Sequence, residues 1–415
     1  MKNLVLVFIA MICVAASAAD IDSGRQTRIS LTNFEPNIPI VFLEAKEPIV
    51  SERKVPCVVK MVLPNGQTGN TSALAGVVRI HGATSTMYPK KSFGVTLNAP
   101  VRWLGMRESA HWVLNAAFVD RALMRHKLSY DLFLSLSATN APRFASASRF
   151  VEAKLNGKYH GAYLLMERVD RAMFGLRSYD SNAQHHAVIY KAVDHAAGFD
   201  HLGHGGFEQR EPDPLTGDYW GPLDRFNRFV SSTDRATFFD TAAGIPARLD
   251  LDNAIDFHLL VLLTSNMDGI DKNLLLARDA QLTNAPLPKF FFAPWDYDAT
   301  FGRNWEASRV GTTAWLSNHL FDRLLSDADY RRKFAARWQQ LRQRQFSVAS
   351  IHRMVDDNAR TLGGAVQRNA LRWRTLDGPY PDRLTFDQDI AQMKEWVIDR
   401  TKWLDDEIAR RAGSG

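Results

Sequence analysis

The spacing of apolar residues changes partway along this chain, and that change limits the folds open to it. From residue 38 to about 191 the apolar runs are short and β-branched: Pro39 to Leu43, Val55 to Leu63 and Ala75 to Ile80, with Asn65-Gly66 placed as a turn between strands. Lys91, Phe93, Val95 and Leu97 then alternate with Ser92, Gly94 and Thr96, the period-two pattern of a strand with one buried face. Phe150 to Leu155, Asn156-Gly157 and Tyr159 to Glu167 read as a hairpin, because Asn-Gly accepts the left-handed angles of a two-residue turn. One helix, around Arg121 to Leu134, interrupts this region.

Beyond residue 195 the texture differs. His195 to Trp220, rich in Gly, His, Asp and Pro, reads as a long polar loop. Histidines 185, 186, 195, 201 and 204 fit no compact ligand spacing and are assigned to exposed loop rather than to a metal. Asp252 to Leu263 is a helix that Asp252 can cap, with Ile255, Leu259, Leu262 and Leu263 on its apolar face. Short strands follow at Leu274 to Ala277 and Lys289 to Phe292, and helices over 318–361 and 386–410. Strands first and helices last predict an α+β chain of two lobes, a strand-rich one over 38–191 and a mainly helical one over 192–415.

With 415 residues, 46% of them hydrophobic, the chain can build a large core, and its two cysteines exclude a disulfide framework. Lys2, the apolar run Leu4 to Ala16 and the small residues Ser17-Ala18-Ala19 have the layout of a cleaved secretory signal over residues 1–19. The run is short for a bilayer span, which needs about 20 apolar residues. The mature chain is therefore expected in a secreted or periplasmic location, without a membrane span, and with Cys57 as its one thiol, buried in a strand. The net charge of +6 is mild. Its densest basic cluster, Arg331 to Arg344, has Phe334, Trp338 and Leu341 interleaved, which is the solvated face of an amphipathic helix rather than a nucleic-acid surface.

The segment carrying chemistry runs from Asn266 to Gly302. Asp268 and Asn273 sit five residues apart between a helix and a short strand, and Asp296 and Asp298 follow another short strand. One carboxylate can orient a hydroxyl and accept its proton, while an amide oxygen and a second carboxylate hold magnesium against phosphates. A glycoside hydrolase would use a similar pair of carboxylates, so spacing alone leaves both chemistries open.

Several motifs in one order narrow this further: Arg79-Ile80-His81-Gly82-Ala83-Thr84-Ser85 with Pro89-Lys90-Lys91-Ser92-Phe93, Asn156-Gly157 through Gly161 to Glu167, Ile189-Tyr190-Lys191, Asn266-Met267-Asp268-Gly269 through Asn273, and Pro294-Trp295-Asp296-Tyr297-Asp298 through Gly302. In these the chain resembles the CotH kinase family, atypical relatives of protein kinases, over nearly all of its mature length. The resemblance implies a two-lobed protein-kinase-like fold, ATP, and Mg2+ or Mn2+. It implies Asp268 as the catalytic aspartate, Asn273 as its metal-side companion, and Asp296 and Asp298 as metal ligands. Lys90 or Lys91 falls in the phosphate-binding lysine region, and strand parity favours Lys91, which shares the face of Phe93, Val95 and Leu97. Gly82, Thr84, Ser85, Glu167 and Lys191 complete the implied nucleotide contacts. The chain departs from the family at His81-Gly82-Ala83-Thr84, where an Arg-Gly-Asn-Ser-like turn is usual. There is no Walker lysine loop. The implied acceptor is a Ser or Thr hydroxyl of a protein, or a polysaccharide or other envelope component. Because ATP is scarce outside the cytoplasm, a non-catalytic structural or binding protein of an extracellular layer stands as the alternative.

Overall fold

The computed structural model describes residues 31, 34–64, 71–180, 185–373 and 384–413. The expected signal at 1–19 and the Asn65-Gly66 turn lie outside them.

The strand-rich region closes into a seven-stranded barrel of β1 (Ile40–Glu44), β2 (Val55–Val62), β3 (Leu74–His81), β4 (Ser92–Arg102), β5 (Glu108–Asn115), β6 (Ser148–Leu155) and β7 (Lys158–Glu167), in the order β1-β2-β3-β4-β5-β7-β6. Alternation drives it: Val55, Cys57, Val59 and Met61 of β2 face inward with Phe93, Val95 and Leu97 of β4, and Trp103, Trp112 and Tyr163 fill the lumen. Cys57 is a buried free thiol. Period-two patterning predicts such strands but not closure, which depends on the parallel pairing of β1 with β6 (Ile40 opposite Glu152) and on register shifts in the β4–β5 and β6–β7 ladders that bend the sheet.

The β6–β7 hairpin turns at Asn156-Gly157, with φ of 47° and 74° and Leu155 paired to Lys158. Both central residues are left-handed, and the Asn156 side chain accepts a hydrogen bond from Ala45 N at 2.8 Å. Gly157→Val places a β-branched residue in that region and is expected to cost about 1–2 kcal/mol. Denaturant titration checks this, and an unchanged midpoint would refute the turn assignment.

A second, antiparallel sheet follows, in the order β11-β10-β8-β9, from β8 (Val188–Ala192), β9 (Phe207–Glu211), β10 (Leu274–Arg278) and β11 (Phe291–Pro294). It draws strands from both sides of residue 191. β9 lies inside the stretch read as loop; its short FEQRE sequence buries only Phe207 and Gln209, too little apolar signal to reveal a strand.

The helices are α1 (Arg125–Leu134), α2 (Gly221–Ser232), α3 (Arg235–Phe238), α4 (Leu251–Thr264), α5 (His319–Leu325), α6 (Ala328–Arg342), α7 (Val348–Leu362), α8 (Gly364–Trp373) and α9 (Phe386–Gly413). α4 is buried nearly all round, as a central helix must be when apolar on every face. Its cap is Asp250 rather than Asp252: the Asp250 carboxylate accepts from the backbone N–H groups of Asp252 and Asn253, so the helix starts one residue earlier than expected. α6 buries Tyr330, Phe334, Trp338 and Leu341, the apolar side of the expected amphipathic helix. α8, not anticipated from the sequence, docks on the barrel through Arg368, which donates to both Glu152 oxygens at 2.7 and 2.8 Å. Among the described residues no helix is long and apolar enough to cross a membrane.

Candidate active site

Antiparallel pairing decides where the chemistry-bearing loops meet. Leu274 pairs with Pro294, so the chain entering β10 and the chain leaving β11 emerge at one end of the second sheet, and Trp295 N donates to Asn273 O at 3.1 Å. Lys191 pairs with Leu275, so β8 delivers its C-terminal end to the same place. This end of the sheet collects Asp268, Asn273, Asp296, Asp298 and Lys191.

Asn266 ties the two loops together. Its Oδ1 accepts from Gly269 N at 3.1 Å, and its Nδ2 donates to Asp296 O at 3.3 Å. A Cβ on Gly269 would lie 2.8 Å from Asn266 Cγ, so a side chain there would displace this tie. Asn273 and Asp296 both adopt left-handed backbone angles, φ of 48° and 56°. From the other side, α1 presents His126 and Tyr130 four residues apart on one face. The Tyr130 hydroxyl accepts from Asp296 N at 3.0 Å, and His126 Nε2 accepts from Tyr297 N at 3.3 Å and lies 3.4 Å from Asp296 Oδ1.

His126, Asp296 and Asp298 form a group whose ligand atoms all lie within 4.8 Å of one another; His126 is buried, Asp298 partly buried and Asp296 exposed. Burial, and then the charge of Asp296, push the Asp298 carboxyl up to about 7. Although half exposed, Asp296 loses some solvation to the packed protein on its inner side, which works against its charge, but the His126 ring offsets this and holds Asp296 below its usual range. Two carboxylates crowded this closely, with an imidazole nitrogen beside them, fit a divalent cation: it would relieve the repulsion that raises Asp298. In the sequence His126 is simply one position within the helix expected around Arg121 to Leu134. A lone His on a packed helix face carries no ligand signal until a partner loop, here 170 residues downstream, is folded against it.

The cations divide differently from the sequence reading. Lys90 is 1% exposed, its ammonium donating to Ala116 O, Ala162 O and Asn369 Oδ1, which ties α8 to the barrel. Lys91 donates to Thr86 O and Tyr88 O of its own turn. Glu167 is buried at the barrel rim, accepting from Arg107 N at 2.8 Å. The lysine beside the acidic group is Lys191, which lies over the Trp295 ring and helps lower Asp296. Burial holds the Lys191 ammonium below its ordinary value, with Arg210 acting in the same direction. Gly82 has φ of 114°, and a Cβ there would strike Ser85 Oγ. The short turn Thr84–Met87 that follows leads to Tyr88, whose hydroxyl is pushed up by burial and then by Asp298 and Asp296. His81 is pushed down to about 4, by burial first and then by Arg79, Lys191, Arg168 and Arg210. It is therefore neutral, and the positive charge near it comes from those four residues. Asp268 is partly exposed, with Lys272 Nζ and His195 Nε2 each 3.7 Å from one of its oxygens, and His195 Nδ1 is 2.9 Å from Asp271. His195, read as loop, thus lies beside the candidate catalytic aspartate.

The family model for the CotH kinase protein matches residues 78–404. The chain belongs to this family. It is similar to the inner spore coat protein H of Bacillus subtilis (strain 168), with 26% identity over 381 residues, covering 88% of this chain and 94% of that protein. The span matched by the family model contains every residue of the acidic group and of the cation set around it.

Proposed function

We propose that this CotH-family chain is an extracytoplasmic phosphotransferase that carries the γ-phosphoryl group of ATP to a hydroxyl of a protein or envelope component. In this reading the barrel and the region from residue 192 onward are the two lobes of a protein-kinase-like arrangement. The observation that supports it best is the convergence of Asp268, Asn273, Asp296 and Asp298 at one end of the second sheet, beside Lys191 and the cations around His81.

Asp296, Asp298 and His126 would hold the divalent cation, with Asn273 close by on the adjoining loop. One nitrogen with two carboxylate oxygens suits Mn2+ at least as well as Mg2+, which prefers oxygen alone. Such a cation, when bound, neutralises phosphate oxygens and supports in-line transfer. Lys191 and the surrounding arginines bind and orient the phosphate chain as fixed positive charge. The partly exposed Asp268 accepts the proton of the incoming hydroxyl.

Asp268→Asn is expected to lower turnover by roughly 10²–10⁴ while leaving the metal-dependent thermal response to nucleotide in place. Purified chain incubated with γ-labelled ATP and Mg2+ or Mn2+, beside this variant, checks both halves. The name of the spore coat relative supports a second reading, a structural component of an extracellular layer. A native chain that shows no thermal response to nucleotide, metal or both together would favour that reading and sink the enzyme.

A further inference from the structure

The end of the second sheet remote from the acidic group holds a different set of side chains. β10 is five residues long, so its ends stand about 13 Å apart. At its far end Arg278 pairs with Val188, and Gln281 N donates to His185 O at 3.1 Å, which places the entry to β8 directly beside Arg278. The Arg278 side chain is 3% exposed and rests with its guanidinium 5.0 Å from the centre of the Phe290 ring. Among the described residues its Nε and Nη2 have no hydrogen-bond partner, and neither do Nδ1 of His185 and Nδ1 of His186, all four atoms being buried. The neighbouring phenols do not serve them: Tyr190 donates to Tyr219 O at 2.6 Å, and the Tyr219 hydroxyl accepts from His186 N at 3.3 Å. Arg225, exposed on the first turns of α2, belongs to the same neighbourhood: burial, then Arg278 and Arg225, hold the His185 ring below its ordinary value.

A buried guanidinium without an acceptor is strongly disfavoured, and arginine has donors only. An anion with several acceptor oxygens would satisfy these donors. We propose that Arg278, His185 and His186, with Arg225 at the rim, form an oxyanion site that takes a phosphate or carboxylate group. The planar fork of Arg278 can receive such a group through two parallel N–H bonds, while Phe290 covers one face of the fork. The two imidazoles supply further donors in their Nδ1–H form. The site is independent of the phosphotransfer reading, because it shares no residue with the acidic group and lies a strand's length away from it.

The test is calorimetry and thermal denaturation of the metal-free chain with inorganic phosphate and, separately, with malonate. The native chain should show a saturable heat and a higher melting temperature with one of them, and the better of the two identifies the group as phosphate or carboxylate. Arg278→Met should weaken that binding at least tenfold and raise the melting temperature of the anion-free chain, because the uncompensated charge is gone. Arg225→Gln, on the surface, should weaken binding severalfold without disturbing the fold, and it decides the matter if Arg278→Met does not fold. Lys191→Met, at the opposite end of the sheet, removes a cation of the proposed phosphotransfer site, so it should cost at most the heat of that site and leave the Arg225-sensitive binding in place. A native chain that responds to neither anion overturns the proposal. So does a response that Lys191→Met abolishes and Arg225→Gln leaves intact.

Discussion

Asp389→Asn is expected to destabilise the fold by about 3–5 kcal/mol, the usual cost of removing one partner from a buried ion pair. The Asp389 side chain is fully buried near the start of α9 and accepts from Arg125 Nη1 and Nη2 at 2.8 and 3.0 Å, with Arg303 Nε at 3.4 Å. Asparagine keeps the shape and leaves two guanidiniums short of negative charge. Arg125 also donates to Asp120 and, through Nε, to Thr300 O, two residues beyond Asp298, so the loss reaches the loop that carries the acidic group. The pH dependence follows from the same contacts. Burial disfavours the Asp389 charge, but Arg125 and Arg303 more than offset it, so its folded pKa lies below the unfolded value of about 3.9. Its contribution is complete above the unfolded value and is lost as pH falls through the folded one. Urea titrations from pH 7 down to pH 3 should therefore show a shallower acid loss in Asp389→Asn than in the native chain. Equal midpoints at pH 7 would refute the pairing.

On the proposed phosphotransferase reading, Asp296→Ala should abolish the metal-dependent response to nucleotide and lower phosphoryl transfer by at least about 10³, because electrostatic positioning supplies most of what such a site contributes. Its metal-free melting should change little. Asp296 is exposed, and its loop is held through backbone atoms: Tyr130 takes Asp296 N, Asn266 donates to Asp296 O, and Arg125 takes Thr300 O. Metal titration followed by thermal shift separates the two effects. A variant that still gains stability from Mn2+ and nucleotide together would remove Asp296 from the metal group.

Local chemistry was legible in the sequence wherever neighbours in sequence are neighbours in space. The turn at Asn156-Gly157 and the strand alternation of β2 and β4 belong to this class, as does the buried helix α4. Asp296 and Asp298 stand out because two carboxylates directly after an apolar strand have no packing reason to be there. What the sequence hid depends on distant partners. His126 gains its meaning only from a loop folded over α1. Strand parity favoured Lys91, yet both it and Lys90 precede β4, where parity no longer determines direction, and each is engaged by nearby acceptors. Lys191 is named only through the family resemblance; its place beside the acidic group follows from the pairing of β8 with β10. α8 was concealed because half its inward face is polar, using Arg368 and Asn369 where an apolar stripe would have announced a helix.

The parallel seam between β1 and β6 also bears on how the chain reaches this structure. The two strands that close the barrel are separated by more than a hundred residues, with α1 between them. Hairpin contacts such as β6–β7 can form within microseconds, whereas a seam of this separation must first meet the entropy of closing a long loop. Until β6 is made, β1 to β5 are an open sheet with unpaired edges, a template for association with other copies. High contact order makes this slow relative to the helical region. Folding yield should consequently fall with concentration, and a chain cut before Ser148 should aggregate rather than fold.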